Sequence, residues 1–247
     1  IEFAGQERLG SAYVRPLNEL MAAISGRRAD LGASATADGE RALDQARSLN
    51  EAQGNVLAIE QELRALKKDW SGSDVDGLVA QALALYGLIS DNSKLTLDPD
   101  LDSYYAMAIA MDYAPKLSET AARLDAMALK IRSAGAVSSE DDVAIQFIAA
   151  RASTYRDSLA LAVKRATGAN PSLEQKLATS DFERAYADFT THAEALRKGD
   201  LTAAAAGVGG ALSRETLAVS TASGAVLDEL LAIRIDGFEG RRNVLLA

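Results

Sequence analysis

Leu49, Val56, Leu63 and Trp70 recur every seven residues, with Ala52, Ile59 and Leu66 between them. Two interleaved apolar series, three and four residues apart, form the seam of a helix packed nearly parallel to its neighbours. Leu117, Ala121, Leu124, Ala128 and Ile131 make a second stripe, and Ile148, Ala152, Tyr155, Leu159, Ala162 and Ala166 a third. No stretch sustains the two-residue alternation of a half-buried strand. Hydrophobic residues make up 48% of the 247 residues but aromatics only 5%, which favours slim, closely packed helices over a sheet-based core. These patterns predict an all-α chain, an elongated up-and-down helical bundle in one domain over 1–247. Two stacked four-helix bundles sharing long helices are one arrangement that the helix lengths permit.

The breaks divide the chain into about seven helical segments. The first runs from about Gly5 to Arg28 and bends at Pro16. After a break over Asp30–Gly39 the heptad helix reaches Trp70, and Ser71-Gly-Ser-Asp74 ends it, with Asp74 capping a helix to about Ser90. A long helix spans Leu101 to Ser133, kinked at Pro115 and stopped by Gly135. Ser138-Ser-Glu-Asp141 caps the next, which Gly168-Ala-Asn-Pro171 terminates. A helix to about Arg197 follows. After Lys198-Gly-Asp200 the last segment is helical in its second half, through Leu227, Leu231 and Phe238. Gly207-Val-Gly-Gly210 follows an alanine run rather than a strand and lacks a following Lys-Ser or Lys-Thr. It reads as a joint or a close helix contact, not a phosphate loop.

Charge and composition exclude several functions. The 26 basic and 35 acidic residues give a net −9, which repels a nucleic-acid backbone. Cysteine is absent, so neither a disulfide nor a thiolate site is available. No run of 18 consecutive apolar residues offers a membrane span. The opening Ile1-Glu-Phe3 has the look of a cloning remnant, and Asn243–Ala247 stops inside a helical pattern. Both ends fit a segment excised between two transmembrane helices. His192 is the only histidine and falls on the polar side of its helix. With no nucleophile–base pair in view, neither a catalytic residue nor a metal or cofactor is expected.

One string resists explanation as core or solvated face. Leu95-Thr-Leu-Asp-Pro-Asp-Leu-Asp-Ser-Tyr-Tyr105 places acids at alternate positions, as a calcium loop does. The glycine and glutamate such a loop needs are replaced by Ser103 and Ile109. The remaining reading is a turn at Asp98-Pro99, a helix cap from Asp100 or Asp102, and Tyr104 and Tyr105 starting a buried face. Two phenols beside Asn92 predict a polar pocket, because buried tyrosine hydroxyls need partners. At the end of the first helix, Arg27 and Arg28 complement its dipole, or Arg28 grips a carboxylate with two hydrogen bonds. Arg8 and Arg15 read as solvent face. The candidate ligand-binding set is therefore Arg28, Asn92, Asp102, Tyr104 and Tyr105.

Glu7-Arg-Leu-Gly-Ser-Ala-Tyr-Val-Arg-Pro-Leu17 and Asn92–Tyr105 resemble the all-helical extracytoplasmic sensor regions of bacterial transmembrane receptors, of the helical bimodular or four-helix-bundle type. Such regions precede histidine kinase or chemoreceptor signalling modules. In helix order the resemblance covers most of the chain. One departure is that Arg27-Arg28-Ala29 replaces the His-Arg-Gly-type turn such sensors carry. The resemblance implies a periplasmic, ligand-sensing homodimer between transmembrane helices. The parent it implies is a two-component histidine kinase or, alternatively, a methyl-accepting chemotaxis receptor. The resemblance names no ligand. The sensor reading itself predicts a cavity at Tyr104 and Tyr105 and stabilisation by an organic acid or aromatic compound. The rival reading is a ligand-free structural bundle, fully packed around Tyr104 and Tyr105.

Overall fold

The computed structural model describes residues 2–29, 32–202 and 207–245, and side chains within 3–29, 33–202 and 207–238. Ile1, Asp30, Leu31, Leu246 and Ala247, on which some of the boundary expectations fall, lie outside the described residues. Among those described, the chain is an all-α bundle without a strand. Its helices are α1 (Glu2–Ser11), α2 (Val14–Arg28), α3 (Gly32–Ala52), α4 (Glu60–Asp69), α5 (Val75–Asn92), α6 (Leu101–Ala108), α7 (Ala114–Ala134), α8 (Ser139–Ala169), α9 (Ser180–Arg197) and α10 (Val208–Leu245).

The heptad series is not one seam. α3 ends at Ala52, and Gly54, Asn55 and Ala58 adopt left-handed φ values of 67°, 54° and 51° in the turn that follows. The Asn55 side chain accepts the Ile59 N–H at 3.2 Å, which supports the turn. α4 then folds back on α3, so the Trp70 indole donates to the Thr36 carbonyl at 3.0 Å. Gly39, expected in a break, is inside α3, and a Cβ there would lie 1.8 Å from the Trp70 ring. Val56, a presumed seam residue, is 56% exposed.

Proline explains the other departures. Pro16 offers no N–H to the carbonyl four residues back, and the helix breaks between α1 and α2 around residue 12. The long helix expected over Leu101–Ser133 does continue past Pro115, and its irregularity is a π-helical turn over Ile109–Tyr113 that widens the backbone just before the proline and joins α6 to α7. Gly135, at φ 73°, stops α7 as expected, and Ser138 and Asp141 form a reciprocal capping box on α8. Asp74 caps α5 by accepting the Gly77 N–H. After Pro171 the chain makes a short 3-10 turn, and α9 starts only at Ser180.

α10 is helical from Val208, not merely in its second half. Gly209 and Gly210 donate their N–H groups to the Asp125 carboxylate at 2.8 and 2.6 Å. A Cβ on Gly209 would lie 2.1 Å from the Ala121 carbonyl oxygen, so the glycine string is a close helix contact. By length and composition Val208–Phe238 could cross a membrane, with hydropathy 1.4, but half of that window is buried in the protein.

Two apolar clusters form the core. One gathers Tyr13, Leu17, Trp70, Tyr86, Met107, Leu227 and Leu231. The other gathers Leu124, Ile131, Leu159, Phe182, Phe189 and Leu212. The continuous α6–α7 rod and α10 contribute to both. α1 runs antiparallel to α10, with Arg8 paired to Asp228 and Glu7 to Arg234, so the first helix lies along the second half of the last. His192 is a correction: it is 5% exposed, on the same face of α9 as Ala193 and Leu196.

Candidate functional site

The densest buried charge lies where α1, the 95–100 turn, α6 and α10 meet. Lys94, in a left-handed conformation at φ 68°, starts a short 3-10 turn over Leu95–Leu97. Asp98 then accepts the Asp100 N–H at 3.0 Å, which fixes its carboxylate against the helix start. Asp100 occupies the N-cap position of α6 but does not cap it through its side chain. Its carboxylate turns to Arg234 on α10 at 2.7 Å. Arg234 also reaches Glu7 of α1 at 3.1 Å and Asp98 at 2.9 Å. Ser103 accepts from the same guanidinium at 2.7 Å.

One guanidinium thus serves three carboxylates. The side chains of Glu7 and Asp98 are 0% exposed and that of Arg234 14%, whereas Asp100 reaches solvent. Glu7 Oε1 and Asp98 Oδ2 are buried without a hydrogen-bond partner. Burying a carboxylate that is only half satisfied favours its neutral form. Burial is the main cause that pushes the Glu7 carboxyl up to about 7, the Asp98 charge adds to it, and Arg234 opposes it. Glu7 therefore gains and loses its proton near neutral pH, inside the only ion cluster that ties α1, the turn and α10 together among the described residues. No grouping of three or more His, Asp or Glu side chains suited to a metal ion occurs among them.

The candidate residues read from the sequence fall in separate places. Arg28 is at the far end of α2, bonded to Asp76 at 2.6 Å and 3.6 Å from Glu119. Its neighbour Arg27 stacks over Trp70 at 4.9 Å and donates to the Trp70 and Gly72 carbonyls. Asn92 donates to the Leu57 carbonyl at 2.8 Å and offers its own carbonyl to Gln6, which pins α1 to the α3–α4 turn. Asp102 accepts from Asn170 at 3.0 Å.

Of the two tyrosines only Tyr105 belongs to a buried face, half-buried against both apolar clusters. Tyr104 is 36% exposed and meets Tyr105 edge to face at 5.2 Å. The Tyr105 hydroxyl accepts from Arg165 at 2.6 Å. The phenols thus sit at a contact between α6 and α8. A groove of about 1140 Å³ does run through the molecule, between α2, α7 and α10, and none of the five residues lines it.

Glu7 and Asp98 lie within the two strings that carry the family resemblance. Their meeting point was hidden because Arg234 is 227 residues from Glu7 in sequence. Comparison with protein-family models, with curated proteins and with solved structures gives no match to this chain.

Proposed function

We propose that the chain is the extracytoplasmic sensor domain of a bacterial membrane receptor, a two-component histidine kinase, working as a homodimer on the periplasmic side of the membrane. The observation that carries this reading is the Arg234 cluster. The two sequence strings that resemble sensor regions converge on it, and it joins the first helix to the last. In a receptor these two helices continue into the membrane. A displacement of about 1–2 Å at their ends is then enough to pass inward as a signal. A buried ion cluster makes such a displacement discrete, since carboxylates and guanidinium exchange partners rather than slide continuously. The small-molecule ligand, an organic acid or aromatic compound, acts through its different affinity for the two packings.

A thermal-shift screen against a metabolite library tests the reading. A sensor domain melts at a higher temperature in the presence of its ligand, by about 2.7 kcal/mol of added stability at a hundred times Kd. A complete library without one stabilising compound would speak for a purely structural bundle and against the proposal.

A further inference from the structure

The groove between α2, α7 and α10 is lined by side chains too small to fill it: Ala22 and Gly26 on α2, Ala122 on α7, and Ala218, Ala222 and Ala225 on α10. It does not exist for want of helix contact. Asn18 of α2 donates to Ser220 and Thr221 of α10 at 2.9 and 3.0 Å. Ser118 of α7 bonds Ser213 of α10 at 2.7 Å. With the Asp125 bonds to Gly209 and Gly210, these contacts fasten α2 and α7 to α10 and fix the spacing of the three helices. The groove is preformed, and its volume of about 1140 Å³ is slightly above the range of about 300–1,000 Å³ usual for small-molecule sites.

Charge selects the occupant. On a chain of net −9, the groove is rimmed by Arg15, Arg132 and Arg214 against Glu19, with Asp125 in its wall. Asp125 is already compensated by the two N–H groups at the start of α10. Arg15 is bonded to Glu19 at 3.0 Å, which leaves that end neutral. Arg214 approaches a carboxylate only at 3.6 Å, that of Glu215. Arg132 and Arg214 lie toward the opposite end from the Arg15–Glu19 pair. From Arg214 to Ala225 α10 rises about 16 Å, the reach of an extended chain of about a dozen carbons.

We propose that this groove binds an amphipathic carboxylate, its acid group on Arg214 and its apolar body along the alanine wall of α10. This deepens the sensor reading, on which it rests for its purpose, by giving the ligand's class and place. Bound there, the ligand bridges α10 to α2 and α7.

Isothermal titration calorimetry of the full chain tests it, with dodecanoate below its micelle concentration, cholate, and dodecyltrimethylammonium as the cation of equal tail. One equivalent of dodecanoate or of cholate binds, and which of the two binds more tightly tells an acyl chain from a fused-ring acid. The cation does not bind. Arg214→Glu, an exposed change, weakens carboxylate binding at least about tenfold, and Ala222→Trp, which fills the groove, abolishes it while circular dichroism stays native. Failure of both acids to bind overturns the proposal. So does equal binding of the cation, or full affinity in both variants. A concentration-dependent dimer in sedimentation that Ala222→Trp dissociates also overturns it, because the groove is then an interface. Binding that leaves the α1–α10 distance unchanged keeps the site and refutes the sensor reading.

Discussion

Replacing Glu7 by glutamine removes one titrating group from the Arg234 cluster and leaves its shape nearly unchanged. The groups facing Glu7 are Asp98 and Asp100 from the turn and Arg234 from α10, and its carboxyl is raised from the ordinary 4.5 to about 7. At about 1.4 kcal/mol for each pH unit, that difference amounts to about 3 kcal/mol. The sign follows from proton binding. Between pH 4.5 and about 7 the folded chain holds this proton and the unfolded chain does not, so stability falls as pH rises through that interval. The contribution is fully present below 4.5 and gone above about 7. Groups of opposite sign act elsewhere: Lys130 and Ser138 hold Asp141 at about 2, and Arg28 and Arg197 depress Asp76 and Asp142 below 3.8. These lose their stabilisation only in more acid solution. Urea unfolding of the parent and Glu7→Gln from pH 4.5 to 8.5 isolates the Glu7 share as the difference between the two curves. The variant gains on the parent by about 3 kcal/mol across the interval. Parallel curves, or a parent that gains on the variant, would refute the buried, proton-binding Glu7.

Arg234→Met leaves Glu7 and Asp98 buried without their cation and costs about 3–5 kcal/mol in urea unfolding at pH 8, less at pH 5, where Glu7 is neutral. Gly39→Ala drives a methyl into the Trp70 ring, 1.8 Å away. It lowers stability by at least about 1–3 kcal/mol and shifts the fluorescence of the single tryptophan. Asp125→Asn weakens the anchor of the α10 N-terminus by about 1–2 kcal/mol, and hydrogen exchange at Gly209 and Gly210 accelerates. Tyr105→Phe removes only a half-exposed hydroxyl contact with Arg165 and changes the melting temperature by less than about 2 °C.

Much of this fold is legible in the sequence. The α7 and α8 stripes, the stop at Gly135, the capping box at Ser138 and the Asp74 cap are local, and each rests on residues within a few positions of one another. The heptad series shows where local pattern misleads. A helical hairpin keeps Leu63 and Leu66 buried just as a single rod would, and the left-handed tolerance of Gly54 and Asn55 decides between them. Pro115 is read correctly as a feature inside one long helix, and what its sequence does not reveal is the π turn over Ile109–Tyr113 that absorbs its missing N–H. His192 falls among polar neighbours in sequence, yet the packing of α9 encloses it. The Leu95–Tyr105 string holds part of the Arg234 cluster, through Asp98, Asp100 and Ser103, none of which is in the candidate set read from the sequence. Tyr104 faces outward while Tyr105 is half-buried against both clusters, and the acids flanking Pro99 pair with an arginine that no spacing rule connects to them. The alanine groove leaves no sequence signal either, because alanines that line a void look like alanines that pack.

The claim that α1 and α10 move against each other around Arg234 is tested most directly by measuring their separation. The absence of native cysteine allows spin labels at Phe3→Cys and Ile233→Cys, whose parent residues are 43% and 61% exposed. Pulsed electron–electron spin resonance then reads the distance with and without a saturating, stabilising carboxylate. A shift of about 1–2 Å, or a second distance population that grows with ligand, is the predicted result. A single distribution unmoved at saturation would contradict the account.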